Sequence, residues 1–197
     1  MSFVFRLATP ADAEQVLAIY GPYCSTPISF ELEPPTVEEM RRRMAKILGY
    51  YPWLLCEEGG EVLGYVYACS HRERAAYRWS VDTAVYIHPQ RRGRGIGRAL
   101  YTSLFKMLPL QGYINAYAGV TLPNPASVRL HESMGFQRVG VYRQVGYKCE
   151  AWHDVAWYEM LLQPRPSQPQ PPKSVQEIQD EAEWRSALCS GLSLLRP

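Results

Sequence analysis

The pattern of apolar and polar positions divides residues 3–162 into strands and helices. Short segments with alternating or continuous apolar residues, bounded by glycines and polar residues, are typical of β-strands. Gly59 and Gly60 separate two such segments, which indicates a hairpin. The predicted strands are Phe3–Leu7, two strands within 53–70, and then 79–87, 112–120, Phe136–Tyr142 and Trp152–Met160.

Four other segments repeat apolar residues every three or four positions, as amphipathic helices do. Thr9 suits the N-cap of the first helix, and Thr36 and Glu39 have the spacing of a capping box at the second. The third helix follows a glycine-rich loop, and Asn124 caps the fourth. The apolar faces of the first three are Val16, Leu17 and Tyr20; Met40, Met44, Ile47 and Leu48; and Ile96, Leu100, Leu104, Met107 and Leu108.

The order of these elements is strand, two helices, three strands, helix, strand, helix and two strands. That order predicts an α+β domain with α/β layering over residues 1–163. Residues 164–173 are rich in proline and are predicted to form an extended linker. Two interpretations stay open for 174–197: a frayed tail, or a helix that docks on its own or a neighbouring subunit through Val175, Ile178, Ala182 and Leu188.

Composition narrows the class of protein. Hydrophobic residues make up 47% of the chain and charged residues 20%, as in soluble globular proteins, and the formal net charge of +2 does not indicate a general nucleic-acid binder. Five cysteines without C-x-x-C spacing favour reduced thiols in the cytoplasm over disulfides or a metal site. We expect neither a signal peptide nor a membrane helix, because no apolar run is long enough.

Residues 90–98, QRRGRGIGR, connect a predicted strand to the third helix. Glycines let a backbone approach a ligand closely, and a helix start offers unpaired N–H groups that suit phosphate oxygens. Arg91, Arg92, Arg94 and Arg98 add positive charge for a diphosphate. The loop lacks the Gly-Lys-Ser/Thr of a nucleotide-hydrolysing loop, and it follows a late strand, which weakens a dinucleotide fingerprint. A solvated arginine loop is the remaining alternative.

Two ordered motifs point further. VYIHPQRRGRGIGRALY resembles the acyl-CoA loop of the GNAT superfamily of N-acetyltransferases, and NPASVRLHESMGF resembles the second signature of that superfamily. YPWLLCEEGGEVLGYVYA, AYRWSVDTAVYIHP and VGYKCEAWHDVAWY are similar to segments of the phosphinothricin and methionine sulfoximine acetyltransferase family. The resemblance runs from about Phe3 to Leu162 and excludes the proline-rich tail.

The resemblance implies the GNAT acyl-CoA N-acyltransferase fold, a mixed and mostly antiparallel sheet flanked by helices. It implies acetyl-CoA as co-substrate and no metal. The strand before the loop would pair with the pantetheine arm, the loop amides would bind the phosphates, and the strands around Val85 and Tyr117 would splay apart to admit the thioester. The residues implied for acetyl-CoA are Val85, Tyr86, Ile87, Arg92, Gly93, Arg94, Gly95, Ile96, Gly97, Arg98 and Asn124.

Acyl transfer to an amine needs a proton acceptor for the ammonium group and a proton donor for the departing sulfur. The resemblance implies Asp82 as the acceptor, at the place where the family carries a glutamate. Aspartate is shorter, which favours transfer through water. The resemblance implies His131 as the donor to the thiolate, since imidazole exchanges protons near neutral pH. The structural alternatives are a capping or ion-pairing role for Asp82 and a packing role for His131; the other histidines have weaker cases.

The connection 70–79 and the loop 28–35 carry the residues implied for the amine substrate. The resemblance places Arg72, Arg74 and Tyr77 at the acidic end of that substrate, where guanidinium groups bind carboxylate or phosphinate with two hydrogen bonds, and Phe30 as an aromatic wall. An ordinary charged loop is the alternative. The implied substrate is a small amino-acid amine such as phosphinothricin, methionine sulfoximine or methionine sulfone.

The resemblance leaves other acceptors open: a peptide N-terminus, a polyamine or an ordinary amino acid. A chain that binds CoA without catalysis would instead be a regulator. The arginine loop lacks the interleaved aromatic residues of a nucleic-acid site, so neither nucleic acid nor membrane is an expected partner. We expect a homodimer, as in many related acetyltransferases, with Trp152, Trp157 and Tyr158 as candidate apolar contacts.

Overall fold

Seven strands form one sheet in the computed structural model, which describes residues 2–196. Their order across the sheet is β1-β2-β3-β4-β5-β7-β6, and every neighbouring pair is antiparallel except β4 and β5. The predicted mixed, mostly antiparallel sheet is therefore confirmed. The strands are β1 (Phe3–Leu7), β2 (Trp53–Glu58), β3 (Glu61–Ser70), β4 (Ser80–Ile87), β5 (Asn115–Leu122), β6 (Gln137–Lys148) and β7 (Ala151–Leu161).

Helices cover both faces of the sheet and divide its core in two. One cluster of buried residues lies beneath the first two helices, and a larger one lies between the opposite face, the third helix and the C-terminal segment. This layering follows from the amphipathic faces predicted along the sequence. The helices are α1 (Ala13–Tyr20), α2 (Val37–Ile47), α3 (Ile96–Gln111), α4 (Pro125–Ser133), α5 (Val175–Ile178) and α6 (Ala182–Cys189).

Local signals in the sequence set most element boundaries. Thr36 Oγ1 accepts a hydrogen bond from the Glu39 N–H at 3.1 Å, as an N-cap does. Gly59 and Gly60 both have positive φ, 61° and 86°, and form the tight turn between β2 and β3. The first helix differs slightly from the prediction, because a short 3₁₀ turn over Pro10–Asp12 precedes α1.

Strand β6 is longer than predicted and continues to Lys148 rather than ending near Tyr142. Its pairing with β7 shifts register between Tyr142 and Gly146, and Gln144 takes a positive φ of 48° there. The Gln144 N–H donates to the Asp154 carboxylate at 2.8 Å, which holds this bulge in place. A bulge interrupts the alternation of side chains, so the pattern of apolar residues did not reveal the second half of the strand.

The C-terminal segment packs on the same core as the sheet. The Gln111 side-chain N–H donates to the carbonyl of Lys173 at 2.8 Å, and the Trp79 indole N–H donates to that of Gln170 at 2.8 Å, so the proline-rich linker is tied to the domain. The buried side chains of the C-terminal segment are Val175, Ile178, Trp184 and Ala187.

Of the two interpretations left open for 174–197, the structure has short helices docked on their own subunit, principally on α3. The expected apolar face is only partly right, because Ala182 is exposed and Trp184 and Ala187 face the core instead. The helical conformation is interrupted between α5 and α6. This interruption rotates α6 relative to the position it would have in one continuous helix, so other side chains face the core. None of the helices within residues 2–196 combines the length and the hydropathy of a membrane span.

Candidate active site

The glycine-rich loop turns sharply between β4 and α3. Gly93 and Gly95 both have φ of +82°, a conformation that strains residues with a Cβ. Gly95 is the N-cap residue of α3, and no acceptor among residues 2–196 pairs with the N–H groups of residues 92–98. Such a cluster of free N–H groups at a helix start binds anions well.

A cavity of about 340 Å³ opens beside this loop. Ten of the eleven residues predicted to hold acetyl-CoA line it; they are Val85, Tyr86, Ile87, Arg92, Gly93, Gly95, Ile96, Gly97, Arg98 and Asn124. Asn124 Oδ1 accepts from the Ser127 N–H at 3.2 Å as the cap of α4, which leaves the side-chain NH₂ as a donor toward the cavity.

Arg94 is the one residue of this set that does not line the cavity, and its charge does not have the predicted role. Its guanidinium forms two hydrogen bonds with Glu58, at 2.9 and 3.0 Å, and lies over the Phe3 ring. The glycines on either side turn its side chain toward β2 and away from the cavity. Arg91 also lines the cavity but is paired with Glu61 at 2.9 Å, so Arg92 and Arg98 are the lining arginines without an ion-pair partner among residues 2–196.

Strands β4 and β5 part in the middle of the sheet. They pair only over three rungs, Ser80–Asn115, Val81–Ala116 and Asp82–Tyr117, and beyond them a cavity of about 70 Å³ lies between the strands. This cavity shares Val85, Tyr86 and Asn124 with the larger one. The splay that the resemblance implied is therefore present, and the cavity within it adjoins the loop cavity.

His131 lines the smaller cavity from the α4 side and is 4% exposed. Its Nδ1–H donates to the Ser127 carbonyl at 2.8 Å. Nε2 therefore carries no proton, and its lone pair accepts from the Tyr101 hydroxyl at 3.0 Å. Burial lowers the pKa of His131, and the Ser127 carbonyl only partly offsets this. The ring is therefore neutral near pH 7.

Asp82 stands on the last paired rung before the split, and its carboxylate lies 2.6 Å from Nδ1 of His71. Burial raises the pKa of Asp82, while the hydrogen bond from His71 opposes that rise. Sequence reasoning missed His71 as part of the site. The signal was available in the hairpin register, because Cys69 pairs with Asp82 across β3 and β4 and His71 is two residues further on.

The two catalytic candidates approach the split from opposite faces of the sheet. Successive side chains along a strand alternate, so Asp82 and Thr83 point to opposite faces. Thr83 lines the cavity with Tyr101 and His131, on the face covered by α3 and α4. Asp82 therefore lies on the face of α1 and α2.

The residues predicted for the amine substrate fall into two groups. Phe30 lines an open groove that meets the other cavities at Tyr86, and its ring packs against Gly146 and His153. Arg72, Arg74 and Tyr77 lie exposed on the connection next to His71. The Tyr77 ring meets His71 edge-on at 5.9 Å, and the Arg72 guanidinium lies 5.9 Å from the Trp157 ring.

Lys148, which the sequence analysis did not single out, fixes the loop that carries Phe30. Lys148 is 6% exposed, and its ammonium donates to the carbonyls of Cys24, Ser29 and Glu31, at 2.8, 2.6 and 2.5 Å. Three backbone acceptors satisfy all three ammonium protons, so the β6–β7 hairpin and the loop form one unit. This contact joins residues far apart in sequence, and local patterns could not have revealed it.

Replacing Lys148 with methionine is expected to lower the free energy of unfolding by about 2 kcal/mol, because buried carbonyls lose their charged partner. With the substrates that the resemblance implies, the looser loop should raise the KM for the amine several-fold and leave the KM for acetyl-CoA unchanged. Thermal unfolding and steady-state kinetics measure both. Lys106→Met, on the exposed side of α3, is the matched control; equal effects from the two variants would contradict the role of Lys148.

Comparisons with known proteins agree with this geometry. Residues 5–157 match the model of a family described as an acetyltransferase (GNAT) domain. A phosphinothricin N-acetyltransferase of Streptomyces coelicolor is 42% identical over 172 residues, which cover 80% of this chain and 95% of that protein. An L-methionine sulfoximine/L-methionine sulfone acetyltransferase of Pseudomonas paraeruginosa is 32% identical, with 86% of this chain and all of the relative covered.

Solved structures show the same architecture. The crystal structure of a GNAT superfamily phosphinothricin acetyltransferase from Sinorhizobium meliloti, in complex with AcCoA, superposes with a TM-score of 0.81 at 31% identity. The match covers 88% of this chain and 98% of that one.

Proposed function

The chain belongs to the GNAT acetyltransferase family, and from that premise we propose that it transfers the acetyl group of acetyl-CoA to the amine of a small amino-acid substrate. Phosphinothricin, methionine sulfoximine and methionine sulfone are the acceptors we propose, because relatives named for them match most of the chain. The observation that carries the proposal is the pair of adjoining cavities, one beside the free loop amides and one in the split between β4 and β5.

The loop and the split have the features that acetyl-CoA requires. We propose that the amides from Arg92 to Arg98 hold the diphosphate, that the backbone of Val85–Ile87 pairs with the pantetheine arm, and that Asn124 contacts that arm. The free N–H groups, the positive φ at both loop glycines and the side chains of Arg92 and Arg98 support this assignment. When bound, acetyl-CoA supplies an activated acyl thioester.

Within this proposal Asp82 lies on the acceptor side of the split and belongs to the group that receives the ammonium proton. Phe30 would form a wall of the acceptor groove, and Arg72, Arg74 and Tyr77 would bind the acidic end of the acceptor. The contacts of Tyr77 and Arg72 with His71 support that role. His131 and Tyr101 lie on the other side, toward the departing sulfur, and the Tyr101 hydroxyl, which His131 holds, is the group there that carries a proton for it.

His131→Phe is expected to lower kcat by about 10-fold, which is less than the roughly 10²–10⁴-fold that acid–base groups contribute. A thiol has a reference pKa near 8.5, so its thiolate leaves with little assistance. Phenylalanine keeps the aromatic packing with Phe136 and Tyr158 but leaves the Tyr101 hydroxyl without its acceptor. Steady-state kinetics with saturating acetyl-CoA measure the effect; an unchanged kcat would show that His131 only packs.

A panel of amines tests the proposed acceptor. Thiol release from acetyl-CoA would be followed with phosphinothricin, methionine sulfoximine, methionine sulfone, ordinary amino acids, a polyamine and a peptide. We expect kcat/KM to be highest for the first three. Turnover of the peptide alone would refute the proposed acceptors but not the proposed acetyltransferase activity. Tight binding of acetyl-CoA without turnover of any amine would indicate a regulator.

The C-terminal segment braces the proposed acetyl-CoA loop from outside. A Cβ on Gly191 would lie 1.9 Å from the Ala99 carbonyl oxygen, and the Leu194 carbonyl contacts Gly95. Gly191→Ala is expected to displace this segment, to cost about 1–3 kcal/mol as overpacking does, and to raise the KM for acetyl-CoA several-fold. Gly140→Ala, where a Cβ meets open space, is the control. Equal KM values in both variants would contradict the brace.

We propose a homodimer formed through the exposed face of the β6–β7 hairpin. Tyr147 and Trp152 are more than half exposed there and pack against each other with ring centroids 5.3 Å apart, whereas Tyr158 is buried and cannot contribute. Such an apolar patch is typical of an interaction surface. Sedimentation should give twice the chain mass for the wild type and the chain mass for Trp152→Ser; a monomeric wild type would refute the dimer. A cytoplasmic location stays a prediction, consistent with five free cysteines.

A further inference from the structure

His71 and Asp82 form a hydrogen-bonded pair beside the split. A carboxylate only accepts hydrogen bonds, so the 2.6 Å contact fixes the proton of His71 on Nδ1. The neutral ring then presents the lone pair of Nε2. No hydrogen-bonding group within residues 2–196 engages Nε2.

Aromatic contacts hold the imidazole in a defined orientation. It stacks on Tyr117 with ring centroids 4.4 Å apart and planes 20° from parallel, and Tyr77 meets it edge-on. Tyr117 pairs with Asp82 on the last rung before β4 and β5 part. The ring therefore lies at the opening of the split, on the face of the sheet opposite His131, and its side chain is 13% exposed.

This arrangement divides two tasks between the two side chains. The Asp82 carboxylate is short, and one of its oxygens is already engaged by an N–H group. Imidazole accepts protons near neutral pH, and a hydrogen-bonded carboxylate stabilises the imidazolium that results. We propose, on the basis of the acetyltransferase function above, that Nε2 of His71 accepts the proton of the acceptor ammonium and that Asp82 orients and stabilises His71.

The step conserves atoms and charge. One N–H bond of the ammonium breaks, one N–H bond forms at Nε2, and the nitrogen of the acceptor regains its lone pair for attack on the thioester. His71 becomes cationic beside anionic Asp82, and the proton later passes to solvent. The groups that face the ring are Asp82 from β4, Tyr117 from β5 and Tyr77 from the connection, while the Arg72 guanidinium donates to the backbone carbonyl of His71.

Two substitutions separate basicity from shape. His71→Gln retains an N–H donor for Asp82, and His71→Phe retains the stacked ring; neither accepts a proton. Both are expected to lower kcat/KM for the acceptor by about 10²–10³-fold. The KM for acetyl-CoA should stay within about 2-fold and the melting temperature close to that of the wild type. Retention of a third of the activity by either variant would overturn the proposal.

Rescue distinguishes proton transfer from packing. Adding imidazole to His71→Gly should restore activity, and pyrazole, a ring of the same size but much weaker base, should not. Adding Asp82→Glu to His71→Gly should recover part of the activity, because the longer carboxylate reaches into the space left by the ring. Equal rescue by imidazole and pyrazole would show that the ring only fills space, and the proposal would be wrong.

A measurement made without an amine substrate tests the His71–Asp82 pair separately from the proposed acetyltransferase function. Long-range ¹H–¹⁵N NMR of the His71 ring should show Nδ1 protonated and Nε2 free, and Asp82→Asn should abolish that preference. A ring protonated on Nε2 would overturn the pair even if the wild type turns over amines. Failure of the wild type to acetylate any amine, with the NMR result as expected, would refute the proposed function alone.

Discussion

Asp82→Asn is expected to lower kcat/KM for the acceptor by about 10²–10⁴-fold, the range attributed to acid–base groups. The neutral amide cannot stabilise a cation on His71, and the 2.6 Å hydrogen bond loses its charge. The KM for acetyl-CoA should change little, because Asp82 does not line either of the cavities proposed for the cofactor. Steady-state kinetics with each substrate varied in turn measure kcat/KM for the acceptor and the KM for acetyl-CoA separately.

The stability of Asp82→Asn at neutral pH gives a second readout of this prediction. Burial raises the pKa of Asp82 above its ordinary value. An acid whose pKa is raised in the folded state stabilises the fold below its unfolded pKa, and that stability is lost as pH rises through the folded pKa. The wild type therefore carries a penalty at neutral pH that asparagine removes, so Asp82→Asn should be no less stable there. A variant that is inactive because it is unfolded, or that is fully active, would contradict the assignment.

Gly95→Val is expected to weaken acetyl-CoA binding by about 10²-fold or more. Gly95 has φ of +82°, which a β-branched residue adopts only with strain, and a Cβ there would lie 3.0 Å from the Leu194 carbonyl oxygen. The loop must rearrange, and the free amides at the start of α3 lose their common focus. A loss of two or more charge-assisted hydrogen bonds is enough for an effect of that size.

Calorimetric titration with acetyl-CoA measures this effect directly. Gly60→Val is the matched control, because Gly60 has a similar φ of +86° with open space around it but lies in the β2–β3 turn. It should cost stability without changing the dissociation constant. Equal affinities for Gly95→Val and the wild type would show that the cofactor binds away from the loop.

Local signals in the sequence were sufficient for much of the fold. Thr36 and Asn124 cap the helices that their neighbours predicted, and Gly59 and Gly60 form the predicted turn. These features depend on residues within a few positions of one another, and their physics is complete in a short segment. The loop glycines were informative for the same reason, since positive φ at Gly95 is a local requirement.

Contacts between distant segments were not predictable in the same way. His71 meets Asp82 only through the register of β3 with β4, and Lys148 reaches Cys24 across 124 positions. Arg94 belongs to a loop of arginines that look equivalent in the sequence, yet it alone forms the two-pronged pair with Glu58. The docked tail depends on Trp184 finding the side of α3, which no pattern within 174–197 specifies.

The most direct test of the account is a crystal structure of this chain with acetyl-CoA bound. We expect the diphosphate on the N–H groups of residues 92–98 and the thioester carbonyl within the split between β4 and β5. The His71–Asp82 pair should lie on one side of that carbonyl and His131 on the other. A diphosphate lodged away from the loop, or a carbonyl that neither side chain faces, would contradict the central claim.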